Sequence, residues 1–155
     1  MGQGVYTSIP MMIAEELEVS MDDIKIYAPQ PEPAYANALL LVPEPKKEYS
    51  SLTFMQKVAH FLPLVATGGS TAISDGYNYM RAAGATAREM LIEAAAAKWG
   101  VDKSKCYAEN AHIINKDSKE KLTYGELAEA ASKVKLAKMP LLKEKKDWKI
   151  LGKPV

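Results

Sequence analysis

Two short glycine-containing stretches are the parts of this sequence best suited to hold a ligand. Residues 68–71 (Gly-Gly-Ser-Thr) lead into the longest helical pattern of the chain, and residues 2–4 (Gly-Gln-Gly) precede a second one. The first amide N–H groups of a helix have no partner inside it and lie at the positive end of its dipole, which suits an anion such as phosphate. A tight turn with Ser70 or Thr71 as the N-cap explains residues 68–71 without a ligand. Residues 2–4, taken alone, are consistent with a flexible start that has no role.

The other residues capable of chemistry are isolated from one another. His60 and His112 have no further ligand at metal-binding spacing, and metal ligands occur in sets. Cys106 is flanked by residues typical of a strand rather than by a base that would activate it. Glu15 and Glu16 are neighbours on a predicted helix, where successive side chains point about 100° apart and do not converge on one substrate atom. The sequence therefore predicts no catalytic residue and no metal site, and His60 is expected to be a surface or packing residue.

The composition bounds the class of protein. The chain has 155 residues, 48% of them hydrophobic and 25% charged, which is typical of one globular domain. The formal net charge of +1 provides no field that would attract nucleic acid or an anionic membrane, and no apolar run is long enough to span a bilayer. The single cysteine excludes an internal disulfide and fits a reducing compartment such as the cytoplasm, although export of a complete enzyme would also agree with it. Both ends of the chain resemble interior segments of something longer.

The longest helical pattern runs from Ser70 to Trp99 without a proline, and Gly100 is the expected end. Its alanine clusters, at residues 82–85 and 94–97, permit another element to approach closely, but alanine is also simply a good helix former. The arginines at 81 and 88 are expected to be solvated.

Three shorter helices are expected around it. One begins near residue 9 and places Glu15 and Glu16 on its polar side. A second follows Thr53, and its residues Phe54, Val58, Phe61 and Leu62 share one face. A third begins at a capping box formed by Thr123 and Glu126, with Leu127, Ala130, Ala131 and Val134 directed inward. Segments with β-forming composition are residues 24–27, 107–109, 112–114, 121–123 and 148–151. These patterns predict an α+β fold: a small mixed sheet with three to four packed helices, one of them long and central.

Several motifs occur in a fixed order along the chain. Those in the first half are residues 1–7 (Met-Gly-Gln-Gly-Val-Tyr-Thr), 14–17 (Ala-Glu-Glu-Leu), 33–37 (Pro-Ala-Tyr-Ala-Asn) and 67–71 (Thr-Gly-Gly-Ser-Thr). Those that follow are residues 75–77, 80–81, 87–91, 122–127 and 151–155. Together they resemble the molybdopterin-binding subunit of the xanthine dehydrogenase/aldehyde oxidase family, in particular its isoquinoline 1-oxidoreductase beta-subunit type. The resemblance covers nearly the whole chain except about residues 40–64, which are interpreted as a divergent or inserted loop.

The resemblance implies a molybdenum–pterin enzyme that hydroxylates aldehydes or N-heterocycles with oxygen from water and passes electrons to 2Fe–2S clusters on a partner. In that family the two glycine turns contact the pyranopterin and its phosphate or dinucleotide tail. The implied cofactor-binding residues are Gly2, Gln3, Gly4, Gly68, Gly69, Ser70 and Thr71. Ala72 stands where relatives often carry a second hydroxyl, so one hydrogen bond to the cofactor is expected to be missing.

Two features of the family have no counterpart here, namely its active-site glutamate and its cluster-binding cysteines. Residues 1–155 are therefore interpreted as a single partial molybdopterin-binding domain, with residues 135–155 a connector toward a further domain. Its expected partners are the rest of the molybdenum subunit and a 2Fe–2S subunit, and we expect the chain alone to be inactive and without cofactor. Exposed apolar surface should make it self-associate as a homo-oligomer. The alternative function is a non-catalytic binding or assembly module that docks a partner through the alanine-rich helix.

Overall fold

The computed structural model describes residues 4–27, 30, 32–42 and 53–153. Two units are distinguishable: Met1–Pro10 with Lys25–Met80, and Met11–Ile24 with Arg81–Val155. The interpretation of residues 1–155 as a single partial domain stays a prediction. Two helices, α1 (Val5–Leu17) and α3 (Thr71–Trp99), contribute residues to both units. Each unit is described by itself below.

The first unit begins at Gly4, whose φ of +72° turns the chain into α1. The carbonyl of Gly4 accepts hydrogen bonds from the amides of Thr7 and Ser8, at 3.1 and 2.8 Å, and so closes the first turn. Two 3-10 turns follow later in the unit, at Pro33–Tyr35 and Ala38–Leu40, and both pack against α2 (Phe54–Phe61).

Helix α2 begins where the sequence predicts. Unlike an ordinary surface helix, it buries polar side chains and exposes apolar ones. Thr53 and Gln56 form a reciprocal capping box, which satisfies two amides of the first turn. The helix then buries Gln56, Ala59 and His60, while Phe54 and Phe61 are 78% and 82% exposed. The predicted apolar face exists, and it is directed toward solvent.

The second unit is built around the C-terminal half of α3. Three strands follow, β1 (Cys106–Glu109), β2 (His112–Asn115) and β3 (Lys121–Thr123), paired antiparallel in the order β1-β2-β3. The turn between β1 and β2 is Asn110-Ala111, with φ values of 47° and 59°, as a two-residue hairpin requires. Helix α4 (Tyr124–Ser132) then begins at the Thr123–Glu126 capping box, which confirms that prediction.

The core of the second unit lies between α3, the sheet and α4. Its buried members are small or aliphatic, and Ile113 and Leu127 are fully buried. The complete cluster comprises Leu91, Ile92, Ala94, Ala95, Ala96, Cys106, Ile113, Leu127 and Ala131. Ala94, Ala95 and Ala96 of α3 therefore pack within the chain's own core, whereas Ala83 and Ala97 are exposed. On α4, Ala130 is exposed rather than directed inward.

A close helix crossing explains one glycine of α3. A Cβ atom on Gly84 would lie 2.6 Å from the carbonyl oxygen of Ile13 and 3.0 Å from Cβ of Glu16, both on α1. These separations are shorter than van der Waals contact, so only glycine lets the two backbones approach this closely. Both sides of this contact belong to the second unit.

The α+β class with one long helix is confirmed, and the described part of the chain contains four α-helices. Three predicted details differ. The sheet is antiparallel throughout its described strands rather than mixed. Residues 24–27 form no strand, because their backbone pairs with no other strand in the described ranges, and Tyr27 is exposed. Residues 148–151 form no strand either. Within the described ranges, no helix combines the length and the apolar composition needed to cross a bilayer.

Candidate functional site

The turn formed by residues 68–70, called here the glycine turn, is an exposed loop directly before α3. Gly69 and Ser70 both adopt the left-handed conformation, with φ values of +56° and +60°. A Cβ atom on Gly68 or Gly69 would meet no heavy atom within 4 Å, so the surface of the turn is open. Serine rarely adopts a positive φ, so Ser70 has a backbone conformation that is uncommon for its residue type.

The first amides of α3 have partners within the chain, contrary to the expectation from the sequence. The amide of Thr71 donates to the carbonyl of Gly68 at 3.1 Å, and that of Ile73 to the carbonyl of Ser70 at 3.1 Å. The amide of Ala72 donates to Oγ1 of Thr67 at 3.4 Å. The residue that caps this first turn with its side chain is thus Thr67, and not Ser70 or Thr71.

The donors left for a ligand are on the glycine turn itself. No residue in the described ranges accepts a hydrogen bond from the amide of Gly69 or of Ser70. The hydroxyl of Ser70 is on the same exposed turn. Two adjacent amides and a hydroxyl next to a helix N-terminus fit one phosphate group. The chemistry of this donor set therefore agrees with a phosphorylated cofactor, held by the turn and not by the first helical amides.

Asn37 forms hydrogen bonds with residues on both sides of the glycine turn. Its Nδ2 donates to the carbonyl of Ala66 at 2.9 Å and to Oγ1 of Thr71 at 2.8 Å. Its own amide donates to the carbonyl of Leu64 at 2.9 Å, and the residue is only 4% exposed. The role of Asn37 as a positioning residue is not predicted from the sequence. The feature that could have indicated this role is its place in the motif 33–37, directly before a 3-10 turn.

Asp75 and His60 lie in the same unit as the glycine turn. Burial raises the pKa of Asp75, and the amide of Ala38, which donates to it at 3.4 Å, opposes that rise together with the nearby His60. His60 is buried, and its Nδ1 donates to the carbonyl of Pro33 at 2.7 Å. The histidine is therefore a packing residue, one of the two roles expected from the sequence.

Of the other predicted glycine stretch, only Gly4 lies in the described ranges, and Gly2 and Gln3 lie outside them. Further along α1, Ile9 contacts α3 within the first unit, since a Cβ atom on Gly76 would lie 3.9 Å from its Cδ1. Gly4 and Thr71 each precede this contact by five residues. A helix rises about 1.5 Å per residue and packed helices lie about 8–10 Å apart, so the two turns are within about 20 Å of each other in either helix direction.

The second unit contains a buried group of charged side chains, called here the carboxylate cluster: Glu15, Glu16, Arg81, Arg88 and Lys143. Glu15 and Glu16 are 1% and 0% exposed, which overturns the expectation that they form the polar side of α1. The guanidinium of Arg81 donates to Oε1 of Glu16 through Nε at 2.9 Å and through Nη2 at 2.6 Å. Arg88 donates to the backbone carbonyl of Glu16 at 2.7 Å. Neither arginine is simply solvated, because each completes the hydrogen bonding of a buried glutamate.

Glu15 holds the segment near the C-terminus of the second unit. Its Oε2 accepts hydrogen bonds from the amides of Lys149, Ile150 and Leu151, at 2.9, 2.6 and 3.0 Å. These amides therefore have no need of a neighbouring strand, which is why residues 148–151 form none. Burial would raise the pKa of Glu15, but the hydrogen bonds from Ile150, Lys143 and Leu151 outweigh it, and the pKa lies below its ordinary value.

Within the described ranges, the remaining reactive groups are not grouped into a second site. Cys106 is buried in β1, and desolvation raises the pKa of its thiol. A shallow cavity of about 350 Å³ next to it is lined partly by Asp102 and Lys103, two solvated charges. Among the described residues, no three His, Cys, Asp or Glu side chains are grouped so that they could hold a metal ion.

Comparison with known proteins shows one distant relationship. No family model matches the chain. The chain is similar to the isoquinoline 1-oxidoreductase subunit beta of Brevundimonas diminuta, with 26% identity over 128 residues. The match covers 82% of this chain but only 14% of that relative. This agrees with the resemblance drawn from the motifs at the level of a distant relationship.

Proposed function

We propose that this chain is part of a molybdenum-cofactor-dependent oxidoreductase and that its glycine turn holds a phosphate of the pterin cofactor. The substrate class that follows is an aldehyde or an N-heterocycle. When bound in a complete enzyme, the cofactor supplies the redox chemistry at its metal. The residues of this chain bind and orient its phosphorylated part, through the amides of Gly69 and Ser70 and the hydroxyl of Ser70. The proposal assigns no catalytic residue to this chain.

The observation that carries the proposal is that the amides of Gly69 and Ser70 have no acceptor in the described ranges, in a chain similar to a subunit of isoquinoline 1-oxidoreductase. Both residues are exposed, and their φ values are +56° and +60°. Asn37 holds the residues on both sides of the turn, so the donors are positioned before any ligand arrives. Such preorganisation reduces the entropy lost on binding.

The other glycine stretch has a supporting role in the proposal. The Ile9–Gly76 contact keeps the turn at Gly4 and the turn at Thr71 within reach of one extended ligand. We propose that Gly2, Gln3 and Gly4 contact the pterin, because glycine allows close backbone approach and the glutamine amide both donates and accepts hydrogen bonds. The cofactor is enclosed only when the rest of a molybdenum subunit is present, and electrons pass to a 2Fe–2S partner.

The alternative function, docking of a partner through the alanine-rich helix, has less structural support. The residues Ala94, Ala95 and Ala96 are buried in the core of the second unit. Gly84 is in contact with α1 of the same unit. These four small residues of α3 thus have packing partners within the chain.

Inorganic pyrophosphate is a suitable probe of the glycine turn, because it carries the phosphate chemistry without the pterin. We expect the chain to bind it weakly, and Ser70→Ala to lower the affinity about tenfold or more, since a hydrogen bond to a charged group contributes about 1.5–3 kcal/mol. Ser74→Ala is the matched control, because Ser74 is an exposed serine one turn further along α3. Calorimetric titration at constant ionic strength measures both. Equal affinities of the two variants would contradict the proposal.

A further inference from the structure

Helix α2 carries an uncharged apolar face that has no partner among the described residues. The face, called here the α2 face, consists of Phe54, Met55, Val58, Phe61 and Leu62. Four of these side chains are exposed, the two phenylalanines by 78% and 82%. Helices on the surface of a monomer normally bury such residues and expose their polar ones, and α2 does the reverse because Gln56 and His60 occupy its inner side.

Two 3-10 turns of the same unit also expose apolar side chains. Tyr35 is an exposed residue of the 3-10 turn Pro33–Tyr35, and Leu40 and Leu41 are partly exposed at the end of the turn Ala38–Leu40. Both turns pack against α2. An aromatic side chain contributes about 150–250 Å² on burial, so these residues together approach the roughly 800 Å² per partner of a stable interface. The largest apolar patch on an ordinary monomer is smaller, about 300–600 Å².

The order of residues on the α2 face points to the kind of partner. Phe54 and Leu62 lie four residues before and after Val58, and Met55 and Phe61 lie three residues before and after it. The face is therefore nearly symmetric about Val58. In an antiparallel pairing of two identical helices, Phe54 meets the Leu62 of the other copy and Met55 meets its Phe61. This is the reciprocal contact that a two-fold dimer requires.

Charge does not oppose such a pairing. Lys57 is the only lysine, arginine, aspartate or glutamate of α2. The net charge of the whole chain is +1, so two copies repel each other little. We infer that the α2 face is a self-association surface, on which a second copy of this chain docks with its own α2 antiparallel. This inference is independent of the proposed cofactor function.

Sedimentation velocity of the full chain, measured over a wide range of concentration, tests the inference. We expect a monomer–dimer equilibrium, and Phe61→Glu should raise the dissociation constant about tenfold or more, as loss of a central aromatic contact does. Leu141→Glu is the matched control, because Leu141 is 90% exposed and lies in the second unit. It should leave the equilibrium unchanged. Both positions are exposed, so at a concentration where both variants are monomeric their thermal unfolding midpoints should be equal.

A cross-linking experiment tests the two-fold arrangement directly. Val58 lies at the expected symmetry axis, so Val58→Cys should form an intermolecular disulfide when the protein is treated with a mild oxidant such as diamide. Leu141→Cys should not, and Cys106 is buried and should remain reduced. A wild-type chain that stays monomeric at high concentration would overturn the inference. So would Phe61→Glu and Leu141→Glu variants with equal effects, or cross-linking through Leu141→Cys but not Val58→Cys.

Discussion

At the scale of single residues, buried charge is the main departure from what the pattern of the sequence predicts. Glu15 and Glu16 occupy helix positions that look solvated, yet both are fully buried. Each buried carboxylate is satisfied by several donors, as burial of a charge requires. Those donors come from Arg81, from Lys143 and from backbone amides more than 120 residues away in the chain. Helical periodicity does not reveal partners at that separation.

Removal of the charge on Glu16 should destabilise the fold. Glu16→Gln leaves Arg81 without its carboxylate while the guanidinium stays buried against Trp148, at 5.3 Å from the ring centroid. We expect a loss of about 3 kcal/mol in the free energy of unfolding, the usual cost of breaking a buried ion pair from one side. Urea denaturation at neutral pH measures it. Glu144→Gln is the control, because Glu144 pairs with Lys146 in full contact with solvent, and it should change the midpoint little. Equal midpoints for the two variants would contradict this role of Glu16.

Glu15 should make stability dependent on acid pH. Its pKa is lower in the folded chain than its ordinary value of 4.5, so its contribution is fully present above pH 4.5 and is lost as pH falls through the lower folded value. Wild-type stability should therefore fall more steeply than that of Glu15→Gln below pH 4.5. Urea denaturation at a series of pH values from neutral downward provides both curves. Parallel curves would show that Glu15 does not have the lowered pKa.

At the scale of elements, the helix starts at Thr53 and Thr123 and the helix end at Gly100 are predicted correctly, whereas the predicted cap of α3 at Ser70 or Thr71 is wrong. The capping boxes at Thr53 and Thr123 and the stop at Gly100 follow from short-range hydrogen bonds and backbone preferences, so they are visible in a few residues of sequence. The direction in which an element faces is not local. Helix α2 has the predicted amphipathic pattern but buries its polar side, because Gln56 caps its own helix and His60 bonds Pro33.

The failed strand predictions have a similar cause. Residues 24–27 and 148–151 have β-forming composition, but a strand forms only where a neighbouring strand provides partners for its backbone hydrogen bonds. For residues 149–151 the carboxylate of Glu15 accepts the hydrogen bonds of the backbone amides instead. At the candidate site, residues 68–71 were recognised from sequence, but the capping by Thr67 and the clamp by Asn37 depend on tertiary contacts.

The crossing of α1 and α3 in the second unit gives a prediction about helix packing. Gly84→Ala should lower the free energy of unfolding by about 1–3 kcal/mol, since its methyl group would overlap the carbonyl of Ile13 and force the helices apart. Gly125→Ala is the matched control: its Cβ would meet only Oγ1 of Thr123, at 4.0 Å. There we expect a gain of up to about 1 kcal/mol from helix propensity. Thermal unfolding of both variants measures the effects, and a stabilising Gly84→Ala would contradict the close crossing.

At the scale of the whole molecule, the chain combines an exposed glycine turn, a well-packed second unit and an apolar α2 face. The match to the relative covers 14% of that protein. We propose that the cofactor site is one wall of a larger pocket in a complete subunit, and small-ligand sites owe much of their affinity to enclosure. For this reason we expect weak, local binding of a phosphate group rather than retention of the whole cofactor.

The most direct test of the account is a backbone amide NMR titration of the full chain with inorganic pyrophosphate, with sodium chloride at equal ionic strength as the reference. The account predicts saturable shifts of the Gly69 and Ser70 amide signals, while the amide of Ala72, already bonded to Thr67, moves less. Signals of Gly69 and Ser70 that do not respond, or that respond equally to chloride, would contradict the claim that this turn holds a phosphate.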